Sequence, residues 1–202
     1  MPRNLILRYS EPGDWILDQF LGSGTTLVEA KLLNRNAIGI DINPQSISLS
    51  ETNLNFSCDS QSKIFVKNGN AANLFFIKDE KVDFICTHPP YADMIRYSNG
   101  IEGDISLLNG SSFLNEMKKV ARESYRVLKA GKCCAVMIGD MRRDGNVVPL
   151  GFEVMQCFLS VGFKSREIII KRQHNCRSTG KWMGRRRKFL MLAHEYIFVF
   201  YK

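Results

Sequence analysis

Apolar and polar positions along the chain change period in a regular way. Short β-branched runs alternate with longer stretches of helical spacing, which is how a parallel sheet with crossover helices reads. Pro12-Gly13-Asp14 makes a turn, Trp15 to Asp18 is a short apolar strand, and Gly22-Ser23-Gly24 breaks it. Thr25 to Asn34 then has helical spacing and Ala37 to Asp41 resumes as strand, which completes a βαβ unit. Asn43-Pro44 opens a helix to about Phe56, Lys63 to Lys67 is a third strand, and Val82 to Thr87 is a fourth, stopped by a Pro-Pro pair that cannot continue a ladder. A long helix over about Ser112 to Leu128, closed by Lys129-Ala130-Gly131, leads to a fifth strand at Cys133 to Gly139. A last helix, from about Pro149 to Val161, ends at Gly162.

Two strands remain, Glu167 to Lys171 and Tyr196 to Tyr201, separated by a segment without helical periodicity. A parallel pair would need an ordered crossover, usually a helix, so these two are expected to form an antiparallel hairpin. The expected fold is α/β and Rossmann-like: seven strands, mostly parallel with the last antiparallel, and helices on both faces. The chain has 202 residues, 45% of them apolar, which suits one domain over 1–202 carrying a basic loop at about 172–192. Tyr97 to Ser112, rich in Gly, Ser and Asn, is expected to be a long loop of the kind that is usually functional or disordered.

Charge adds a second layer. The formal net charge is +8, and between Lys164 and Lys188 ten Lys or Arg face the single acid Glu167. Such a segment suits a polyanionic partner, because phosphate neutralisation releases counterions; a solvated basic loop is the alternative. The six cysteines form no Cys-x-x-Cys pair, and several sit in apolar runs, which fits a reducing cytoplasm. No signal peptide and no membrane span are expected.

The glycine turn Asp18-Gln19-Phe20-Leu21-Gly22-Ser23-Gly24-Thr25-Thr26 falls at the carboxyl end of the first strand, where ligands bind in open α/β sheets. A dinucleotide fingerprint would want glycine where Leu27 stands, and a P-loop would want a Gly-Lys pair that is absent. A nucleoside without phosphates fits better, with Asp41 at the end of the second strand able to accept both ribose hydroxyl hydrogens. A plain tight turn and a helix-capping Asp41 are the structural alternatives.

From Asp18 to Thr26 the chain resembles the D-P-F-x-G-S-G-T-T cofactor motif of the site-specific DNA amino-methyltransferases, and Gly39-Ile40-Asp41-Ile42 resembles their following acidic strand. Thr87-His88-Pro89-Pro90-Tyr91 is similar to their Asp/Asn/Ser-Pro-Pro-aromatic motif. The resemblance continues through Arg126-Val127-Leu128-Lys129-Ala130-Gly131, Gly139-Asp140 and Glu195-Tyr196-Ile197-Phe198-Val199-Phe200. It implies S-adenosylmethionine as cofactor, held by Asp18, Phe20, Gly22, Gly24, Thr25, Thr26, Asp41, Ile42, Asn70 and Ala71. It also implies catalysis by His88, Pro89, Pro90 and Tyr91, with Tyr91 stacked on a flipped base and no metal required.

Three positions depart from the family. Gln19 replaces a proline, which should loosen the turn; Asn70 replaces an aspartate and would accept from the adenine amine as a neutral group. His88 replaces the usual acceptor, and an imidazole has one acceptor nitrogen when neutral and none when protonated.

The reading that follows is methyl transfer to the exocyclic amine of adenine or cytosine in DNA. Alternatives are an RNA base amine methyltransferase, a protein-glutamine methyltransferase, and a catalytically impaired relative that binds nucleic acid or a partner. Nucleic-acid contact is expected from Arg177, Lys181, Trp182, Arg185, Arg186 and Arg187, where an aromatic is interleaved with cations. A homodimer or a separate specificity partner would complete target choice.

Overall fold

The computed structural model describes residues 1–92, 97–173 and 192–202. Seven strands form one sheet: β1 (Trp15–Asp18), β2 (Asn36–Asp41), β3 (Ile64–Asn68), β4 (Val82–Thr87), β5 (Leu128–Ile138), β8 (Lys164–Arg172) and β9 (His194–Tyr201). Between β5 and β8, a separate two-stranded hairpin is made by β6 (Met141–Arg143) and β7 (Asn146–Val148). The order across the large sheet is β3-β2-β1-β4-β5-β9-β8. Strands β3 to β5 pair in parallel, and β9 runs antiparallel to both neighbours. The reversed last strand is therefore as expected, but it lies inside the sheet and leaves β8 at the edge.

Helices cover both faces, and alternate residues of each strand feed separate cores. On one side α1 (Pro2–Tyr9) and α2 (Thr25–Leu32) bury Leu5, Ile6, Leu27 and Ala30 against Ile16, Phe84, Ala135 and Val199. On the other, α4 (Gly110–Val127) and α5 (Leu150–Leu159) pack onto Leu17, Ile85, Val136 and Phe198. Phe113, Met117, Val120, Ala121, Ser124 and Val127 recur at helical spacing along α4 and are all buried. β4 is buried at every position, as befits a central strand of a parallel sheet; its Asp83 is held by Lys129 Nζ at 2.7 Å and by the Trp15 amide at 3.0 Å. Cys86, Cys133 and Cys134 are buried free thiols packed as small apolar groups.

Two boundaries shift from expectation. Lys129-Ala130-Gly131 does not close a helix but opens β5, where Gly131 takes φ +74° and its amide bonds the carbonyl of Lys202. The stretch after the Pro-Pro turn contains a 3-10 turn at Ile105–Leu107, and α4 starts at Gly110.

Strands β1, β2 and β4 all end on the same side of the sheet. α3 (Pro44–Leu54) begins there too, with Asn43 Oδ1 capping the Gln45 amide at 2.9 Å.

Candidate active site

The glycine turn is built by two left-handed residues, Gly22 at φ +53° and Gly24 at φ +83°. A Cβ on Gly24 would come within 2.9 Å of Ser50 Cβ, so this glycine lets α2 approach α3. A Cβ on Gly22 would meet no protein atom; its constraint is the backbone conformation and the open space beside it. Asp41 closes the turn: Oδ2 accepts from the Gly22 amide at 2.8 Å and Oδ1 from the Asn43 amide at 2.9 Å. Each oxygen keeps a lone pair for a hydroxyl donor.

Asp18, wholly buried, accepts from the Phe20 amide at 3.1 Å and the Thr87 hydroxyl at 3.0 Å, with the Thr26 hydroxyl as a third donor. Burial pushes its carboxyl up to about 7 against these hydrogen bonds, and the neighbouring charge of Asp41 adds to the rise. None of the three donors carries a positive charge. A ligand that brings a cation would therefore find a buried carboxylate in need of one.

Gln19 does not loosen the turn. Its amide Nε2 reaches the carbonyl of Ala71 at 3.4 Å, its Oε1 accepts from Ser124 Oγ at 2.8 Å, and its backbone N–H meets Thr87 Oγ1 at 3.3 Å. A residue 1% exposed thus ties the end of β1 to the loop after β3, to α4 and to the end of β4. The family's proline could make none of these bonds.

These residues surround one cavity of about 370 Å³. Asp18, Phe20, Gly22, Thr25, Thr26, Asp41, Ile42, Asn70 and Ala71 line it, as do His88, Pro89 and Pro90; Gly24 and Tyr91 do not. The loop from Tyr97 to Leu108, part of the stretch expected to be functional or disordered, supplies a further wall through Tyr97, Gly103, Asp104 and Ile105. Its Gly103 leaves room for only a hydrogen against Asn70, since a Cβ would lie 2.8 Å from Asn70 Nδ2. Asp104 braces that loop through Ser98 Oγ at 2.5 Å and the Ser106 amide at 2.8 Å. Asn70 Oδ1 accepts from the Ala72 amide at 2.8 Å, which leaves one lone pair free.

Behind the cavity wall, His88 belongs to a cluster. Its Nε2 is 3.4 Å from the Tyr91 hydroxyl and 3.8 Å from Glu195 Oε1. Tyr91 donates to Glu195 Oε1, while Lys171 Nζ holds Oε2 at 2.5 Å. Desolvation pushes the His88 imidazole below its usual range and the Lys171 charge adds to this, while Glu195 opposes both. The balance favours the neutral imidazole, and 41% of the side chain remains exposed. Burial alone would raise the Glu195 carboxyl, yet Lys171, Tyr91 and His88 together bring it below the ordinary range. Sequence reading placed Glu195 only within a strand motif and gave Lys171 no part. Their signal was the one acid of β9, set among aromatics, and a lysine directly after the three isoleucines of β8. The six residues expected to contact nucleic acid, Arg177, Lys181, Trp182, Arg185, Arg186 and Arg187, lie outside the described residues.

A glycine turn after β1, an acid ending β2 and a cavity walled by both suit a nucleoside-containing cofactor on this α/β fold. A SAM-dependent methyltransferase from Methanosarcina mazei shares that fold, with a TM-score of 0.65 at 17% identity over 98% of this chain and 96% of its own. This chain belongs to the DNA methylase family, whose model matches residues 1–52 and 82–202. It is similar to the Type II methyltransferase M.MthZI of Methanothermobacter thermautotrophicus, 36% identical over 76 residues, which are 38% of this chain and 21% of that one. It is also similar to a tRNA (guanine(10)-N2)-dimethyltransferase of the same species, 35% identical over 79 residues, or 39% and 22%. The chain spans about a fifth of the length of the curated relatives it matches.

Family membership implies S-adenosylmethionine as cofactor, and the donor set fits it. The unpaired carboxylate of Asp18 suits a cationic methionine moiety, the free lone pairs of Asp41 suit a ribose diol, and Phe20, Ile42 and Ile105 offer apolar walls for a base. No helix among the described residues is long and apolar enough to cross a membrane.

Proposed function

We propose that this protein methylates the exocyclic amine of adenine or cytosine in DNA. The observation that carries the reading is that His88, Pro89 and Pro90 form part of the same cavity wall as the glycine turn and Asp41. The family match and the similarity to Type II methyltransferases support DNA as the substrate.

Bound in the cavity, S-adenosylmethionine supplies an electrophilic methyl group. Asp18, Phe20, Gly22, Gly24, Thr25, Thr26, Asp41, Ile42, Asn70 and Ala71 are the residues we assign to holding it, with Asp18 and Asp41 as the charged contacts. An exocyclic amine is a poor nucleophile while its lone pair is delocalised into the ring, so the protein must favour a tetrahedral nitrogen. The carbonyl of Pro89 accepts one amine hydrogen and neutral His88 accepts the other, which localises the lone pair. Pro90 keeps that carbonyl rigid and out of the ladder, and Tyr91 is assigned to the flipped base. The whole of 1–202 acts as one methyltransferase domain, and the basic segment at about 172–192 contacts the phosphate backbone. Target choice rests on that segment, on a second copy or on a separate specificity partner.

A second reading, an RNA base amine as acceptor, is favoured by the similarity to the tRNA dimethyltransferase. One experiment separates them: labelled methyl from S-adenosylmethionine is offered to DNA, transfer RNA and protein pools. Label in DNA is expected. Label confined to RNA supports the second reading, and intact cofactor binding with no label anywhere overturns both.

A further inference from the structure

The imidazole of His88 differs from the family's usual acceptors in needing the right tautomer, because only one of its two nitrogens carries a lone pair when neutral. The structure contains a device that sets it. Tyr91 has a single hydroxyl hydrogen, and it is donated to Glu195 Oε1. The phenol oxygen is then left as an acceptor only, already taking the Gly139 amide, and it faces His88 Nε2 at 3.4 Å. The second atom near Nε2 is a carboxylate oxygen at 3.8 Å, which can only accept as well. Two acceptors in front of one nitrogen require that nitrogen to carry the hydrogen.

We propose that Glu195 is a positioning residue: by taking the Tyr91 hydroxyl hydrogen it holds His88 as the Nε2–H tautomer and leaves Nδ1 as the acceptor for an amine hydrogen. The second half of this statement rests on the proposed amine methylation; the first does not. His88 lines the cavity while Tyr91 and Glu195 do not. Lys171 Nζ, 2.5 Å from Oε2, keeps Glu195 ionised and so keeps it an acceptor. The four side chains come from three separate pieces of chain, and the sheet brings them together. Tyr91 and His88 follow β4, Lys171 lies near the end of β8 and Glu195 near the start of β9, where Lys171 and Glu195 are directly paired across the ladder. Gly139 at the end of β5 leaves the space they meet in: a Cβ there would lie 3.2 Å from the Tyr91 ring and 3.4 Å from Glu195 Cγ.

Among the described residues, the charged and titratable groups facing His88 are Glu195, Lys171 and Tyr91, with Tyr97 interacting with Glu195 and with Tyr91. His194 is turned to the other face of β9, where its Nε2 meets the Tyr196 hydroxyl at 3.1 Å. Asp18 lines the cavity opposite. Glu195 favours the imidazolium and Lys171 disfavours it, so removing either charge moves the His88 titration in a known direction.

The test is the nitrogen-15 spectrum of the full chain in the absence of cofactor and nucleic acid. The sequence has three histidines, and a His88→Asn spectrum assigns the one of interest. The wild type is expected to show hydrogen on Nε2 and a lone pair on Nδ1. Glu195→Ala, which frees the Tyr91 hydroxyl to donate to Nε2, should lower the Nε2–H share, whereas Tyr91→Phe leaves the carboxylate as an acceptor and should keep it. Glu195→Gln, which can still accept from Tyr91, should keep the tautomer while moving the titration to lower pH, and Lys171→Met should move it to higher pH. Hydrogen on Nδ1 in the wild type overturns the proposal. So does a tautomer left unchanged in Glu195→Ala or, if that variant does not fold, in Glu195→Leu, since either frees the Tyr91 hydroxyl hydrogen to point at Nε2. Because the spectrum is read without methyl transfer, it stands apart from the outcome of the labelling experiment.

Discussion

The hydroxyl of Thr87 donates to Oδ1 of Asp18 at 3.0 Å across 69 positions of sequence, and so joins the strand that ends in Pro-Pro to the strand that ends in the glycine turn. The same oxygen of Thr87 receives the Gln19 amide at 3.3 Å. One threonine therefore ties the ends of β1 and β4 together and sets the two motifs side by side.

Asp18 gives a pH prediction for stability. Its folded carboxyl titrates near 7 against an ordinary value of 3.8, so the native state binds the extra proton between those values. The contribution to stability is fully present below about pH 4 and is lost as pH rises through 7, a loss on the order of 4 kcal/mol. Asp18→Asn should remove that decline: the ligand-free variant should melt higher than wild type at pH 8 and similarly at pH 4. Calorimetry across this range checks it, and parallel decline in both proteins would count against the buried carboxyl as its source.

The same residue should make cofactor binding pH-dependent. A cationic ligand prefers the ionised carboxylate, so S-adenosylmethionine should bind more tightly at pH 8 than at pH 6, with at least a severalfold change in Kd. Asp18→Asn should bind weakly and without that slope. Isothermal titration at the two pH values decides the matter.

Gln19 should act as a tie and not as an imperfect proline. Gln19→Pro removes the side-chain bonds to Ala71 and Ser124 and the backbone bond to Thr87, all in a buried site. The cost should be roughly 1–3 kcal/mol of stability, since buried partners are left unsatisfied. Denaturant unfolding of the variant measures it; a gain in stability would restore the family's proline as the better residue here.

Much of the scaffold was legible because hydrophobic period carries it. Trp15–Asp18 and Val82–Thr87 are strands at the positions where short apolar runs meet turn residues. What escaped depends on contacts the period does not encode. Pro2–Tyr9 is only eight residues long and becomes a helix by burying Leu5 and Ile6 against α2 and β4. The β6–β7 hairpin had a signal, Asp144-Gly145, whose φ values of +50° and +86° are those of the primed turn that Asp-Gly favours. The link from Tyr91 to Glu195 spans 104 positions and exists only because β9 enters the sheet beside β5. No local pattern could announce it.

Gly103 ties the loop wall to the cavity. With φ at +85° and a Cβ position 2.8 Å from Asn70 Nδ2, Gly103→Ala should displace Asn70. Cofactor affinity should fall by roughly tenfold, about 1.4 kcal/mol, with a smaller loss of thermal stability because the loop lies outside both cores. Binding and melting measured on one preparation test the split, and an unchanged Kd would remove the loop from the site.

The central chemical prediction concerns His88. Protonation removes its only acceptor, so methyl transfer should rise from acid pH to a plateau, with the limb below 6.5 because desolvation and Lys171 push the imidazole down. His88→Ala should lose at least tenfold in kcat with little change in cofactor Kd. His88→Asn offers an amide oxygen that does not titrate near neutrality, so it should retain activity and abolish the acid limb. If the alanine variant keeps the wild-type rate, the imidazole is a bystander and the amine hydrogen must be taken elsewhere. If the asparagine variant is active but keeps the limb, the titrating group is Asp18, whose carboxyl lies near 7, and the two limbs are then told apart by repeating the profile in Asp18→Asn.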